Sequence, residues 1–89
     1  MVFKKVEISN KTGLHARPAS LFVELANRFK SDIYVKKDTV TVSAKSIMGI
    51  MVLGVSKGSE IIIEADGSDE NEAIEALTKL VESKFNQEE

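Results

Sequence analysis

The sequence predicts an α+β fold in two layers, with helices packed on one face of a sheet. Short segments that alternate at period two are interleaved with segments whose apolar residues recur at three- and four-residue spacing. The helices are too few, and the strands too closely linked, for a doubly wound parallel sheet. Read along the chain, the order is β-α-β-β-α-β-α. The 89 residues suffice for one domain, 1–89, because two cores would each fall below the size at which burial offsets chain entropy.

The first alternation covers residues 3–9, with Val6 and Ile8 on one face and Lys5, Glu7 and Ser9 on the other, and Asn10 to Gly13 break it. From Ala16 to Lys30 the residues Leu21, Phe22, Leu25, Ala26 and Phe29 form the apolar face of a helix, which Ser31 and Asp32 close. Ile33 and Val35, then Val40 and Val42, mark two strands joined by a tight polar turn at Lys37-Asp38. Ser46 to Leu53 reads as a short helix ended by Gly54, and Glu60 to Ala65 as an Ile-rich strand followed by the turn Asp66-Gly67-Ser68. Asp69 and Glu72 have the spacing of a capping box for a last helix whose apolar face is Ala73, Ile74, Leu77, Leu80 and Val81. The polar end, NQEE, is expected to fray.

Composition narrows the function. A net charge of -2 offers no broad basic field for nucleic acid, which is not expected as a partner. With no Cys and a single His, disulfides, thiolate chemistry and clusters of soft metal ligands are excluded, and no metal or cofactor is expected. The start, MVFKKVEISN, lacks the continuous apolar stretch of a signal peptide, and no later run approaches a membrane span. The expected location is the cytoplasm, without membrane insertion. A chain of this size buries only about 60 to 65% of its unfolded surface, so function is expected on the surface rather than in a deep pocket.

The chemistry concentrates in Thr12-Gly13-Leu14-His15-Ala16-Arg17-Pro18-Ala19, where the first strand has ended and the first helix begins. A helix start offers free backbone N-H groups and about half a positive charge, which together make an anion site. Ala16 and Arg17 are placed to donate those amides, and the Arg17 guanidinium adds a planar fork matched to phosphate oxygens. The same field discourages imidazolium at His15, keeping the ring nucleophilic, and stabilises the dianion that phosphorylation would create. One exposed helix-end interaction contributes only about 0.3 to 1 kcal/mol, and such loose holding suits a group that must leave again. Pro18 fixes a first-turn angle, and Gly13 allows the close turn before His15. These residues permit a phosphoacceptor without demanding one. A solvated histidine that helps cap the helix fits them as well.

With this motif on the page, the chain resembles the HPr family, the histidine phosphocarriers of the bacterial sugar phosphotransferase system. The run TGLHARPA at Thr12 to Ala19 matches the family's active-site pattern, and AKSIMGIM at Ala44 to Met51 lies at the family's spacing from it. The resemblance spans essentially the whole chain. It implies an open-faced sandwich whose antiparallel sheet has strand order 1-4-2-3 and carries three helices on one face. It further implies that His15 is phosphorylated on Nδ1 by Enzyme I, with phosphoenolpyruvate as the source, that Arg17 steadies the phosphoryl group, and that IIA domains of sugar permeases receive it. Such a carrier is a stoichiometric intermediate rather than an enzyme.

Ser46 is placed to cap its short helix. In the family version of this motif the serine is phosphorylated by HPr kinase/phosphorylase, and the phosphoserine form binds the catabolite control protein as a corepressor. A phosphate beside a helix start leaves the fold intact, so its effect is expected to fall on partners. A helix of this length cannot bury every side: Ile50 and Leu53 are expected inward, and Ile47, Met48 and Met51 outward as a docking face joined by Ser20. Val52 stands where many regulated members carry serine, and Glu24 with Asn27 makes the first helix less basic than in some members, though Arg28 and Lys30 remain. Two alternatives stay open, a purely regulatory corepressor and the carrier of the nitrogen-related branch. The regulatory paralogue has glutamine at the active-site position, where this chain has His15. A carrier that shows one face to many partners is expected to be a monomer.

Overall fold

The structure, a computed structural model, describes residues 1–86, so of the polar end expected to fray only Asn86 is described and residues 87–89 lie outside the described residues. Its elements are β1 (Val2–Glu7), α1 (Ala16–Ala26), β2 (Asp32–Lys37), β3 (Val40–Ser43), α2 (Ile47–Leu53), β4 (Glu60–Asp66) and α3 (Glu70–Glu82), with a short 3-10 turn at Lys84–Asn86. The strands form one antiparallel sheet of order β1-β4-β2-β3. This is the α+β open-faced sandwich the sequence predicts. Val6, Ile33, Val35, Ile61, Ile63 and Ala65 point into the helical layer and are buried, while Phe3, Lys5, Tyr34 and Lys36 lie on the open face.

Three local expectations are corrected. α1 stops at Ala26, four residues before Lys30, although Phe29 still packs on the core. Tertiary bonds draw the chain out of the helix: Asn27 Nδ2, which also donates back to the Val23 carbonyl of α1, donates to the Lys45 carbonyl at 3.3 Å, and Lys45 Nζ donates to the Phe29 carbonyl at 2.8 Å. The β2–β3 turn is Asp38-Thr39, one residue later than expected, because Lys37 pairs with Val40. Asp38 takes φ +55, a conformation that aspartate tolerates.

The third correction concerns the start of α3. Asp69 makes no side-chain bond to its own helix. Its carboxylate instead accepts from the Lys30 and Ser31 amides at 2.8 and 2.9 Å and from the Ser31 hydroxyl at 2.5 Å. The return bond comes from Glu70, not Glu72: Glu70 Oε1 accepts from the Gly67 amide at 3.0 Å. Asp69 thereby ties α3 to the segment that ends α1.

These bonds, the Ser31 hydroxyl first, hold the Asp69 carboxyl at about 2 against an ordinary value of 3.8. A carboxyl with a depressed folded value stabilises the fold fully above its unfolded pKa of 3.8 and loses that contribution as the pH falls through about 2. Urea midpoints measured across this window are therefore expected to fall more steeply for the wild type than for Asp69→Asn. Parallel curves would show that the clamp contributes nothing to acid stability.

Candidate functional site

Two chain segments build the ground beneath His15. After β1, Ile8 is fixed by its amide bonding to Ser59 at 2.9 Å and its carbonyl accepting from Gly58 at 2.7 Å. Gly13 then turns at φ +65 with its α-carbon pressed on the 55–56 backbone. Next, the Leu14 amide donates to the Val55 carbonyl at 3.0 Å, and the Leu14 side chain enters the core. The chain leaves this anchor with its next side chain, His15, in solvent.

His15 is the N-cap of α1, in extended geometry at φ -120 and ψ 145, and its side chain makes no capping bond. The bland reading of a capping histidine is therefore not realised. Ala16 and Arg17 occupy the first two helical positions, whose amides have no intrahelical acceptor. The first turn contains no acidic residue that would compete with an incoming anion. Ala16 sits at φ +39, a left-handed conformation that costs a residue with a Cβ roughly 1 to 2 kcal/mol. Strain of this kind persists where the surroundings over-determine the backbone. Arg17 is exposed, so its guanidinium is free to swing toward an anion, and Pro18 and Ala19 are buried and seat the helix start.

α2 packs against α1. Its end leads into Val55, under Leu14, whereas its start is joined to the far end of α1 through Asn27 and Lys45. Ser46 therefore lies near the opposite end of α1 from His15, a helix of 11 residues or roughly 16 Å away. Ser46 caps α2 as expected, its Oγ accepting from the Gly49 amide at 3.1 Å, and Gly54 ends the helix at φ +66. Ser46→Ala is expected to cost about 1 kcal/mol, read as a lower urea midpoint at unchanged slope. An unchanged midpoint would remove the cap from the account.

The division of α2 into two faces follows the sequence expectation. Ile50 and Leu53 are buried, and Ile47, Met48 and Met51 are exposed, Met48 by 74%. Val52, at 77%, is the most exposed of this group, and sequence reasoning had not placed it on the surface. Ser20 is exposed on α1. Sequence reasoning also missed Asn10 and Val55, since neither belongs to the motif and both act through contacts that only the fold creates. A surface depression of about 790 Å³ lies on the open face of the sheet among Lys5, Lys36 and Ile62, and His15 is not among the residues that line it. No helix among the described residues is long and apolar enough to cross a membrane.

An exposed histidine at the start of the first helix, on an antiparallel sheet of order 1-4-2-3 with its helices on one face, places the chain among small open-faced α+β sandwiches. The family model for the PTS HPr component phosphorylation site matches residues 2–83. Among curated relatives, the HPr-like protein Crh of Bacillus subtilis (strain 168) is 56% identical over 82 residues, covering 92% of this chain and 96% of that one. Among solved structures, HPr-C-His from Thermoanaerobacter tengcongensis is 58% identical with a TM-score of 0.98, covering all of both chains. A structure of an HPr dimer from the same bacterium is 61% identical with a TM-score of 0.80, covering 92% of this chain and 94% of that one. The chain belongs to the HPr family of the phosphotransferase system.

Proposed function

We propose that this chain is a phosphoryl carrier that accepts on His15 and passes the group on. The observation that carries this is the combination of an exposed, unbonded His15 with the open Ala16 and Arg17 amides of α1. In the transfer, the Nδ1 lone pair forms a P–N bond while the bond from phosphorus to the donor breaks, and the donor keeps that electron pair. The helix-end field and the Arg17 fork share the charge of the phosphoryl oxygens, favouring the phosphorylated state only modestly. The donor is phospho-Enzyme I, charged from phosphoenolpyruvate, and the acceptors are IIA domains of sugar permeases. His15 is restored after each relay, so the protein is a stoichiometric carrier rather than an enzyme, working in the cytoplasm.

The face of Ile47, Met48 and Met51, with Ser20, is the common docking surface, because Met side chains repack against differently shaped partners. Ser46 is the regulatory phosphorylation site for HPr kinase/phosphorylase, and its phosphorylated form meets the catabolite control protein. Because Ser46 is remote from His15 along α1, its phosphate acts on partners rather than on the ring. The working unit is a monomer. A dimer mass by light scattering at working concentration would overturn that part.

A second reading, a purely regulatory corepressor, is favoured by the likeness to Crh. Incubation with Enzyme I and phosphoenolpyruvate, followed by intact mass, separates the two. The carrier gains one acid-labile phosphate that His15→Ala does not gain. A wild type that gains none from a cognate Enzyme I would put the corepressor first.

A further inference from the structure

Asn10 lies five residues before His15 and is fully buried. A buried amide is costly unless both its ends are bonded, so its presence in this loop needs a reason. Its Nδ2 donates to the Gly13 carbonyl at 2.9 Å and to the Thr12 hydroxyl at 3.3 Å, and its own backbone carbonyl accepts from the Gly13 amide at 3.3 Å. Both backbone polar groups of Gly13 thus end on one residue. The Gly13 carbonyl can only accept, which sets the amide orientation and leaves Oδ1 without a partner in the structure. The bond to Gly13 is kept although the other end of the side chain goes unsatisfied.

We infer that Asn10 is a positioning residue for phosphoryl transfer, fixing the direction in which His15 leaves the loop. This rests on the carrier reading above. The brace closes a ring: Asn10 holds Gly13, Gly13 is packed on Val55 and Ser56, and Leu14 bonds Val55. The residues that follow are His15 and then Ala16, whose left-handed φ of +39 needs firm support on its upstream side. Without the Nδ2 bond the Gly13–Leu14 peptide can rock, and the ring and the helix-start amides no longer meet one phosphoryl group in register. Docking through α2 is untouched, because α2 carries its own cap and core residues.

Asn10→Ala removes the brace together with the unsatisfied Oδ1, so the variant is expected to fold. Steady-state phosphorylation by Enzyme I, with this protein as the varied substrate, is expected to show kcat lowered roughly tenfold and KM within about twofold of the wild type, the signature of misplacement rather than lost docking. Circular dichroism confirms the fold in the same samples, and Asn10→Ser replaces Asn10→Ala if the latter does not fold. A kcat within about twofold of the wild type, or a loss carried by KM, overturns the inference while the carrier reading stands. A wild type that accepts no phosphate sinks the carrier reading itself.

Discussion

Gly13→Ala is expected to destabilise the protein by about 3 kcal/mol, from left-handed strain of roughly 1 to 2 kcal/mol and overpacking of roughly 1 to 3 kcal/mol. A Cβ at Gly13 would stand 2.4 Å from the Val55 carbonyl oxygen and 2.7 Å from the Ser56 Cα, with φ at +65. Both neighbours are backbone, so no side-chain rotation relieves the overlap. The 12–14 loop must lift away from the 55–56 segment, which breaks the Leu14 to Val55 bond and moves His15 with it. Phosphoryl transfer should therefore fall even at temperatures where the variant is folded. Gly58→Ala is the control, since nothing lies within 4 Å of a Cβ there, although its φ of +91 still costs strain. Denaturation midpoints for the two variants decide the matter. Equal losses would show that conformation alone, and not the close approach, makes Gly13 necessary.

Phe22→Ala is expected to cost about 3 to 5 kcal/mol, the range for truncating a fully buried aromatic side chain. Domains of this kind are stable by about 5 to 15 kcal/mol in total. Phe22 has no exposed surface and sits in the buried face of α1 beside Ala19 and Ala26. A loss of that size lowers Tm by at least about 12 °C in a domain under 100 residues. Phe3→Ala removes the same side chain from the open face of the sheet, where Phe3 is 70% exposed, and should stay within about 0.5 kcal/mol of the wild type. Well below its Tm the Phe22 variant should still take up phosphate, because the start of α1 is held separately through Leu14 and Val55. Similar losses for the two phenylalanines would contradict the assignment of the core.

The elements were legible in the sequence where one physical signal dominated. The two faces of α2 could be divided because seven residues bounded by a serine cap and a glycine stop leave one helical register. The candidate site was legible as an anion site because its residue types and its place before a helix carry that chemistry locally, while the phosphoacceptor role came from the resemblance of its motif to the HPr family. What escaped depends on pairs far apart in the chain. The spacing of Asp69 and Glu72 matches a capping box, yet Asp69 is drawn to Lys30 and Ser31, which no local pattern announces. The apolar periodicity of α1 runs to Phe29, but bonds from Asn27 and Lys45 end the helix at Ala26. Phe85, fully buried at φ +59, lies beyond the last periodic segment and gave no signal. Asn10 reads as a loop residue, and only the fold reveals that its amide holds Gly13.

The central claim is that His15 carries a phosphoryl group between partners, and onward transfer tests it most directly. The protein, phosphorylated and then freed of Enzyme I and phosphoenolpyruvate, is mixed with a IIA domain, and both intact masses are followed in time. The account predicts that the IIA domain gains one phosphate as this chain returns to its unmodified mass, with no free phosphate released in step. Phosphate that stays on this chain, or passes only to water, would contradict it.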